Sequence, residues 1–280
     1  GDVYKRQVRM PGNVSSQFFS GLLFACPLAE GETIIEVEGK LESKPYIKLT
    51  MHVLGEHSVK VEYSLDEGWF RIPGGQAYRG RSHKVPGDYS SASFLIAASA
   101  LAAEPSVKIS GLNLKLDVQP DIQILDIVQR MGVKVRFGED WINVERGELE
   151  AVEVDASDTP DLVPVIAALA CYAKGKTRIT GAGRLRIKES DRLSALSMEL
   201  SKMGAKIVEK PDELEVHGPC RLKGAVINPH SDHRIAMACS VAALRAEGET
   251  VILDADCVGK SYPRFYHDLI GIGGIVRFVE

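Results

Sequence analysis

Four segments of this 280-residue chain repeat one layout at nearly constant spacing, and that period constrains the fold more than any single motif. Apolar, small-residue helices are predicted at 18–29, 91–103, 161–173 and 234–246. Turns rich in Gly or Pro follow and end at Thr33, Ser106, Thr177 and Thr250, at intervals of 73, 71 and 73 residues. Strands rich in β-branched residues come next, at 33–38, 106–110, 177–180 and 250–254. Amphipathic second helices are expected at 45–54, 120–131, 189–203 and 263–270, three of them with proline at or near the start, where it is tolerated. Closing strands such as 134–137 and 141–145 flank a Gly-Glu-Asp turn that suits a hairpin. Each unit therefore reads βαβαββ, and the chain as α+β.

The first helix of each unit is apolar almost all round, which belongs in a core. The second helix carries polar residues such as Lys188, Asp191, Arg192, Glu199 and Lys202, read as its solvated face. Buried helices wrapped by outer helices and sheets are implied, with several units closing one core. The stretch 73–87, PGGQAYRGRSHKVPG, is the expected boundary between the first unit and the other three.

Composition adds exclusions. With 45% hydrophobic and 26% charged residues the chain is neither disordered nor collagen-like, and five cysteines without a C-x-x-C suit reduced thiols in a cytoplasmic protein. The longest apolar stretch, 18–29, is too short and interrupted to span a membrane. A formal charge of −4 gives no reason to expect nucleic acid. The opening heptapeptide GDVYKRQ is no signal peptide; it resembles the translation of a sequencing adapter, so residues 1–7 are expected to be a non-native leader.

The repeat also carries the polar chemistry. The same intervals, applied near the start of each buried helix, give Gln17, Ser90, Asp161 and Arg234. Capping explains Ser and Asp but not Gln and Arg. Ser15, Ser16 and Gln17 together offer hydroxyls, an amide and free N–H groups, which suits a phosphate. At the second-helix start the series is Lys44, Asp117, Lys188 and, shifted by one, Lys260. With Arg184, Arg186, Arg192 and Arg234, these make a cationic site for a small polyanion on an acidic protein. Other signatures fail. Gly175-Lys176-Thr177 lacks the first glycine of a phosphate-binding loop, Gly181 and Gly183 lack a third partner, and G-x-S-x-G is absent. His230 and His233 have no third metal ligand placed to help.

Seven segments in order, GNVSSQF (12–18), SKPYI (43–47), GDYSSAS (87–93), PD (160–161), RIKESDR (186–192), DHR (232–234) and KSYP (260–263), resemble the motifs of the 5-enolpyruvylshikimate-3-phosphate synthase family. The resemblance runs from about residue 8 to 280. It implies an enolpyruvyl transferase-like two-domain fold, with 8–84 the last repeat of an incomplete first domain and 85–280 a second domain of three repeats. It implies transfer of the enolpyruvyl group of phosphoenolpyruvate to the 5-hydroxyl of shikimate 3-phosphate. Ser15, Ser16, Gln17, Ser43 and Tyr46 would hold shikimate 3-phosphate, with Asp161 and Lys188 on its ring hydroxyls. Arg192, Arg234 and Lys260 would clamp phosphoenolpyruvate. Glu189, beside Lys188, would give and reclaim the methylene proton, and Asp161 would take the hydroxyl proton. Neither metal nor cofactor is implied, and the complete enzyme is expected to be a cytoplasmic monomer with no nucleic-acid or membrane partner.

Two positions depart from the family pattern: Arg184 stands where Asn is frequent, and Ser231 replaces a commoner Asn. Nothing in the chain matches the family's N-terminal substrate ligands. Two rivals remain, a UDP-N-acetylglucosamine enolpyruvyl transferase and a non-catalytic anion-binding repeat module. A single first-domain unit leaves its apolar helix without companions, so the isolated chain is expected to be aggregation-prone and inactive.

Overall fold

A computed structural model of the chain describes residues 6–112 and 119–279. Residues 1–5 of the expected leader, and Asp117, lie outside the described residues. The described residues to Val85, with Gln119 and Pro120, form one compact unit; the remainder, from Pro86 on, forms a second.

The first unit runs β1 (Arg6–Pro11), α1 (Ser16–Ala25), β2 (Thr33–Glu38), α2 (Lys44–Glu56), β3 (Glu62–Ser64) and β4 (Trp69–Ile72). Its sheet order is β1-β2-β4-β3, with β1 parallel to β2 and the other pairs antiparallel. Arg6 and Gln7, assigned above to the leader, pair in register with Thr33 and Ile34. Although α1 is apolar nearly all round, only Phe19 and Leu23 are buried, and Phe18 is 57% exposed.

The second unit contains three further segments. The first has α3 (Tyr89–Ala102), β5 (Ser106–Ser110), α4 (Gln123–Arg130), β6 (Val135–Phe137) and β7 (Trp141–Glu145). The next has β8 (Glu153–Asp155), α5 (Val163–Ala170), β9 (Gly175–Thr180), α6 (Arg192–Lys202), β10 (Ile207–Lys210) and β11 (Glu213–Gly218). The last has β12 (Val226–Ile227), α7 (His233–Ala243), β13 (Val251–Ile252) and α8 (Phe265–Gly271). The sheet β8-β9-β11-β10 reproduces the order and strand senses of the first unit's sheet. The other two sheets are parts of it: β5-β7-β6 has no initial parallel strand, and β12-β13 no closing pair among the described residues.

The repeat thus exists as topology, in an α+β fold, and in the second unit its core is as the helix patterning implies, whereas α1 is largely exposed. Helices α3, α5 and α7 pack on one another, and every residue of α5 is buried. No helix of the described residues is long and apolar enough to cross a membrane.

Two expectations need correction. Arg192 and Glu199, read as part of a solvated face, are buried, because α6 turns them toward α7 and the segment before it while Lys202 and Met198 face water. The second helix of that segment also starts at Arg192 rather than 189, since the Asp191 side chain caps it by accepting from Ser194 N. Lys188, Glu189 and Ser190 therefore lie on the loop between the 3-10 turn Gly183–Ile187 and α6.

Candidate functional site

Three of the four first helices are capped two residues before the recurrent polar positions, whereas α5 starts at Val163, two residues after Asp161. Ser15 caps α1 by accepting from Gln17 N, Asp88 caps α3 by accepting from Ser90 N and Ser91 N, and Asp232 caps α7 by accepting from Arg234 N. Capping therefore belongs to Ser15, Asp88 and Asp232 and leaves the next-but-one side chains free for other work. In the second unit those side chains meet. Arg234 Nη2 donates to Ser90 Oγ at 2.7 Å and to Asp161 Oδ2 at 3.2 Å, and Nη1 reaches the Asp161 carbonyl at 3.3 Å. Three positions related by the repeat touch because α3, α5 and α7 pack together and bring equivalent ends to one place.

Around this contact the loop before α6 adds its charges. Arg192, only 2% exposed, donates from Nε to Asp232 Oδ2 at 2.7 Å, from Nη1 to Asp161 Oδ1 at 3.0 Å and from Nη2 to Glu189 Oε2 at 2.6 Å. Lys260 Nζ closes the circuit on Glu189 Oε1 at 2.9 Å. Lys188, at the end of the 3-10 turn, acts electrostatically on Asp161. The cluster sets Lys188, Arg192, Arg234 and Lys260 against Asp161, Glu189 and Asp232.

These neighbours fix the charge states. Burial alone would raise the Asp161 carboxyl, but Arg234, Arg192 and Lys188 overcome it and hold it at about 2. Burial would likewise raise Glu189, and the Lys260 hydrogen bond with the Arg192 charge brings it to about 2. Burial pushes Lys188 below the ordinary lysine range, against the pull of Asp161. His233, buried with no hydrogen bond to Nδ1, is lowered to about 4 by burial and by Arg234. A carboxylate lowered on folding adds stability above its unfolded value near 4 and loses it as the pH falls toward 2; for Asp161 this amounts to about 2 kcal/mol. His233 must bind its proton at a lower pH folded than unfolded, so its share is lost from about 6.5 down to 4. Thermal unfolding of the complete protein should accordingly show a melting temperature that falls in two stages on acidification. A flat profile from pH 6.5 to 4 would contradict the His233 assignment.

The cationic stretch of the sequence divides in space. Arg186 is spent on Asp191 at 3.0 Å and Glu209 at 2.7 Å, and Arg184 donates to the Ser157 carbonyl. Only Lys188 and Arg192 of that stretch join the cluster. Sequence reasoning gave no site role to Ser90, Ser190 or Asp232; Ser190 Oγ donates to Asp232 Oδ2 at 3.1 Å. The signal was available, since Asp88 and Asp232 stand at equal offsets before Ser90 and Arg234. Among the described residues no group of three or more His, Cys, Asp or Glu is placed to hold a metal ion.

In the first unit Ser15, Ser16 and Gln17 open α1, while Ser43 and Tyr46 lie at the start of α2. The two loops are tied where Gly12 O accepts from Glu42 N at 3.1 Å. A side chain on Gly12 would strike Lys40 O at 2.6 Å, so this approach requires glycine. Ser43 is buried, adopts φ 54° and makes no capping hydrogen bond through its side chain. One turn on, Ser20 Oγ and Thr50 Oγ1 are 2.7 Å apart and join the helices. Lys44 pairs with Asp66 at 2.8 Å. Two helix N-termini and a set of hydroxyls thus form a second polar group, suited to an anion.

The sequence profile of EPSP synthase (3-phosphoshikimate 1-carboxyvinyltransferase) matches residues 2–269. The chain belongs to the EPSP synthase family. Among family members named 3-phosphoshikimate 1-carboxyvinyltransferase, that of Methanocella arvoryzae is 42% identical over 97% of this chain and 63% of its own length. That of Clostridium acetobutylicum is 41% identical over 96% of this chain and 61% of its own. A solved EPSP synthase from Acinetobacter baumannii superposes with a TM-score of 0.80 at 25% identity, covering 98% of this chain and 64% of that one. The enolpyruvyl transferase NikO from Streptomyces tendae shares the fold, with a TM-score of 0.75 at 21% identity over 97% of this chain and 65% of its own. This chain therefore spans a little under two thirds of the length of the EPSP synthases it matches.

Proposed function

We propose that the complete protein carrying this chain transfers the enolpyruvyl group of phosphoenolpyruvate to the 5-hydroxyl of shikimate 3-phosphate and releases phosphate. The observation that carries the reading is the circuit of Arg192, Arg234, Lys188 and Lys260 with Asp161 and Glu189. Phosphoenolpyruvate brings a phosphate and a carboxylate, and guanidinium forks with lysines suit both. In this reading Arg234, Lys260 and Arg192 receive phosphoenolpyruvate. Ser15, Ser16, Gln17, Ser43 and Tyr46 receive shikimate 3-phosphate, with Asp161 and Lys188 on its hydroxyls. Residues 8–84 are the last repeat of a first domain, and 85–280 a second domain of three repeats.

Glu189 delivers a proton to the methylene carbon, and the neighbouring carbon becomes electrophilic. Asp161 takes the proton of the 5-hydroxyl as its oxygen attacks that carbon, giving a tetrahedral adduct. A methyl proton then returns to Glu189, the double bond re-forms, the carbon–oxygen bond to phosphate breaks, and the departing phosphate takes the proton held by Asp161. Glu189 at about 2 is a carboxylate in the arrangement seen here, so its acid role needs Lys260 drawn toward the incoming anion. Each cation that turns to the substrate weakens its hold on Glu189 and raises the carboxyl. Substrate binding thereby arms the acid.

The family names and the SKPYI and VSSQ segments favour shikimate 3-phosphate over a UDP-sugar. The reading extends to a cytoplasmic, monomeric enzyme. In the complete protein, Glu189→Ala is expected to lower turnover by about 10²–10⁴-fold. Unchanged turnover would remove the proton-transfer role, and an inactive parent would favour an anion-binding module. Tight uridine-nucleotide binding with shikimate 3-phosphate silent would favour the UDP-sugar reaction.

A further inference from the structure

Glu199 lies on α6, fully buried, and makes no contact with Asp161, Glu189 or Lys260 among the hydrogen bonds and ion pairs described. All its partners are donors. Oε2 accepts from Asn228 N at 3.0 Å and from Lys202 Nζ at 2.7 Å; Oε1 accepts from His230 Nε2 at 3.0 Å and from Lys202 Nζ at 2.9 Å. Two of those contacts belong to the segment that leads into α7.

That segment is strained. His230 and Ser231 both adopt φ 55°, a left-handed conformation that residues with a Cβ avoid, and they do so consecutively. Such a turn persists only where its surroundings over-determine it. Here Asn228 Oδ1 accepts from His230 N, Pro229 O accepts from Asp232 N, and Glu199 holds Asn228 N and the His230 ring. The next residue, Asp232, caps α7 through Arg234 N and receives Arg192 Nε and Ser190 Oγ. A shift in this turn therefore moves Asp232, the aim of Arg192 and the start of the helix bearing Arg234.

We propose that Glu199 is a positioning residue for the transfer reaction, holding the 228–231 turn so that Asp232 and Arg234 present a fixed anion clamp. The inference rests on the function proposed above and assigns Glu199 no contact with substrate. Facing a carboxylate, His230 donates from Nε2 in its Nε2–H tautomer, so the anchor does not require a histidine charge.

The test is Glu199→Gln in the complete protein. The amide keeps the size of the side chain but sets an NH₂ group against donors. The expected result is a KM for phosphoenolpyruvate raised at least tenfold, with the KM for shikimate 3-phosphate unchanged within twofold. A merely structural role would instead reduce the active fraction, lowering kcat and leaving both KM values alone. Adding Ser231→Gly, which accepts positive φ freely, is expected to recover at least threefold of the lost affinity. Should Glu199→Gln not fold, His230→Ala removes one anchor contact and is expected to raise the phosphoenolpyruvate KM about threefold. An unchanged KM for phosphoenolpyruvate in a folded, active variant overturns the proposal. If the parent lacks turnover, the function proposed above falls separately, and inorganic phosphate binding by calorimetry decides this one: a tenfold weakening in Glu199→Gln supports it, and equal affinity overturns it.

Discussion

Replacing Arg192 with alanine is expected to destabilise the second unit by about 3–5 kcal/mol, the range for removing one partner of a buried ionic cluster. Burial costs its guanidinium solvation, and Asp232, Asp161 and Glu189 more than offset that cost, raising it above the ordinary arginine range. Without it the wholly buried Asp232 retains Ser190 Oγ and Arg234 N but loses its charge partner, and Asp161 and Glu189 each lose one cation. Arg192→Lys keeps the charge, yet one ammonium cannot reproduce three separately directed N–H donors, so a smaller loss is expected. Urea unfolding of the complete protein measures both. A loss below about 1 kcal/mol for the alanine variant would mean that the three carboxylates are satisfied without Arg192. A coupling cycle with Asp232→Asn separates the pair from the rest of the network.

The same geometry divides labour among the cations that the sequence presents as equals. Arg192 is 2% exposed and already engaged with three carboxylates, whereas Lys260 is 56% exposed and bound to Glu189 alone among the ion pairs described. An incoming anion can draw Lys260 off with little rearrangement; drawing Arg192 off disturbs Asp161, Glu189 and Asp232 together. On the function proposed above, Lys260 is therefore the cation that exchanges partners, and Arg192 meets the anion while keeping its carboxylates.

The period of 71–73 residues was enough to foresee the βαβαββ topology, because hydrophobic pattern and turn residues are local and the sheets obey them. Helix starts were legible only to within two or three residues. Asp88 and Asp232 cap α3 and α7 ahead of the positions that periodicity picks out, and Asp191 delays α6. The meeting of Ser90, Asp161 and Arg234 was not legible, since it depends on how three helices distant in sequence pack against one another. Glu199 misled for a related reason. A charged residue on an amphipathic helix is normally solvated, and what buries this one is a turn 29 residues away. Its flanks hold a clue, since Leu196 and Leu200 are buried core residues on the face it shares.

Asp161→Asn is expected to reduce turnover of the complete protein by about 10³-fold, within the range for loss of a positioned general base. Three cations hold the Asp161 carboxyl at about 2, so it is ionised throughout the neutral range, and it gains strength as a base as the substrate's anions draw on those cations. The amide cannot take the proton of the attacking hydroxyl, and it removes the negative charge between Arg192 and Arg234. Phosphoenolpyruvate affinity should change as well, because Arg234 keeps Ser90 Oγ but loses its carboxylate anchor. Lys188→Met gives a graded check on the same group. Removing one of the three cations raises the Asp161 carboxyl, so the acid limb of kcat/KM should move to higher pH while the folded state persists. Turnover of Asp161→Asn within tenfold of the parent would place the base elsewhere and leave Asp161 as an anchor for the two arginines.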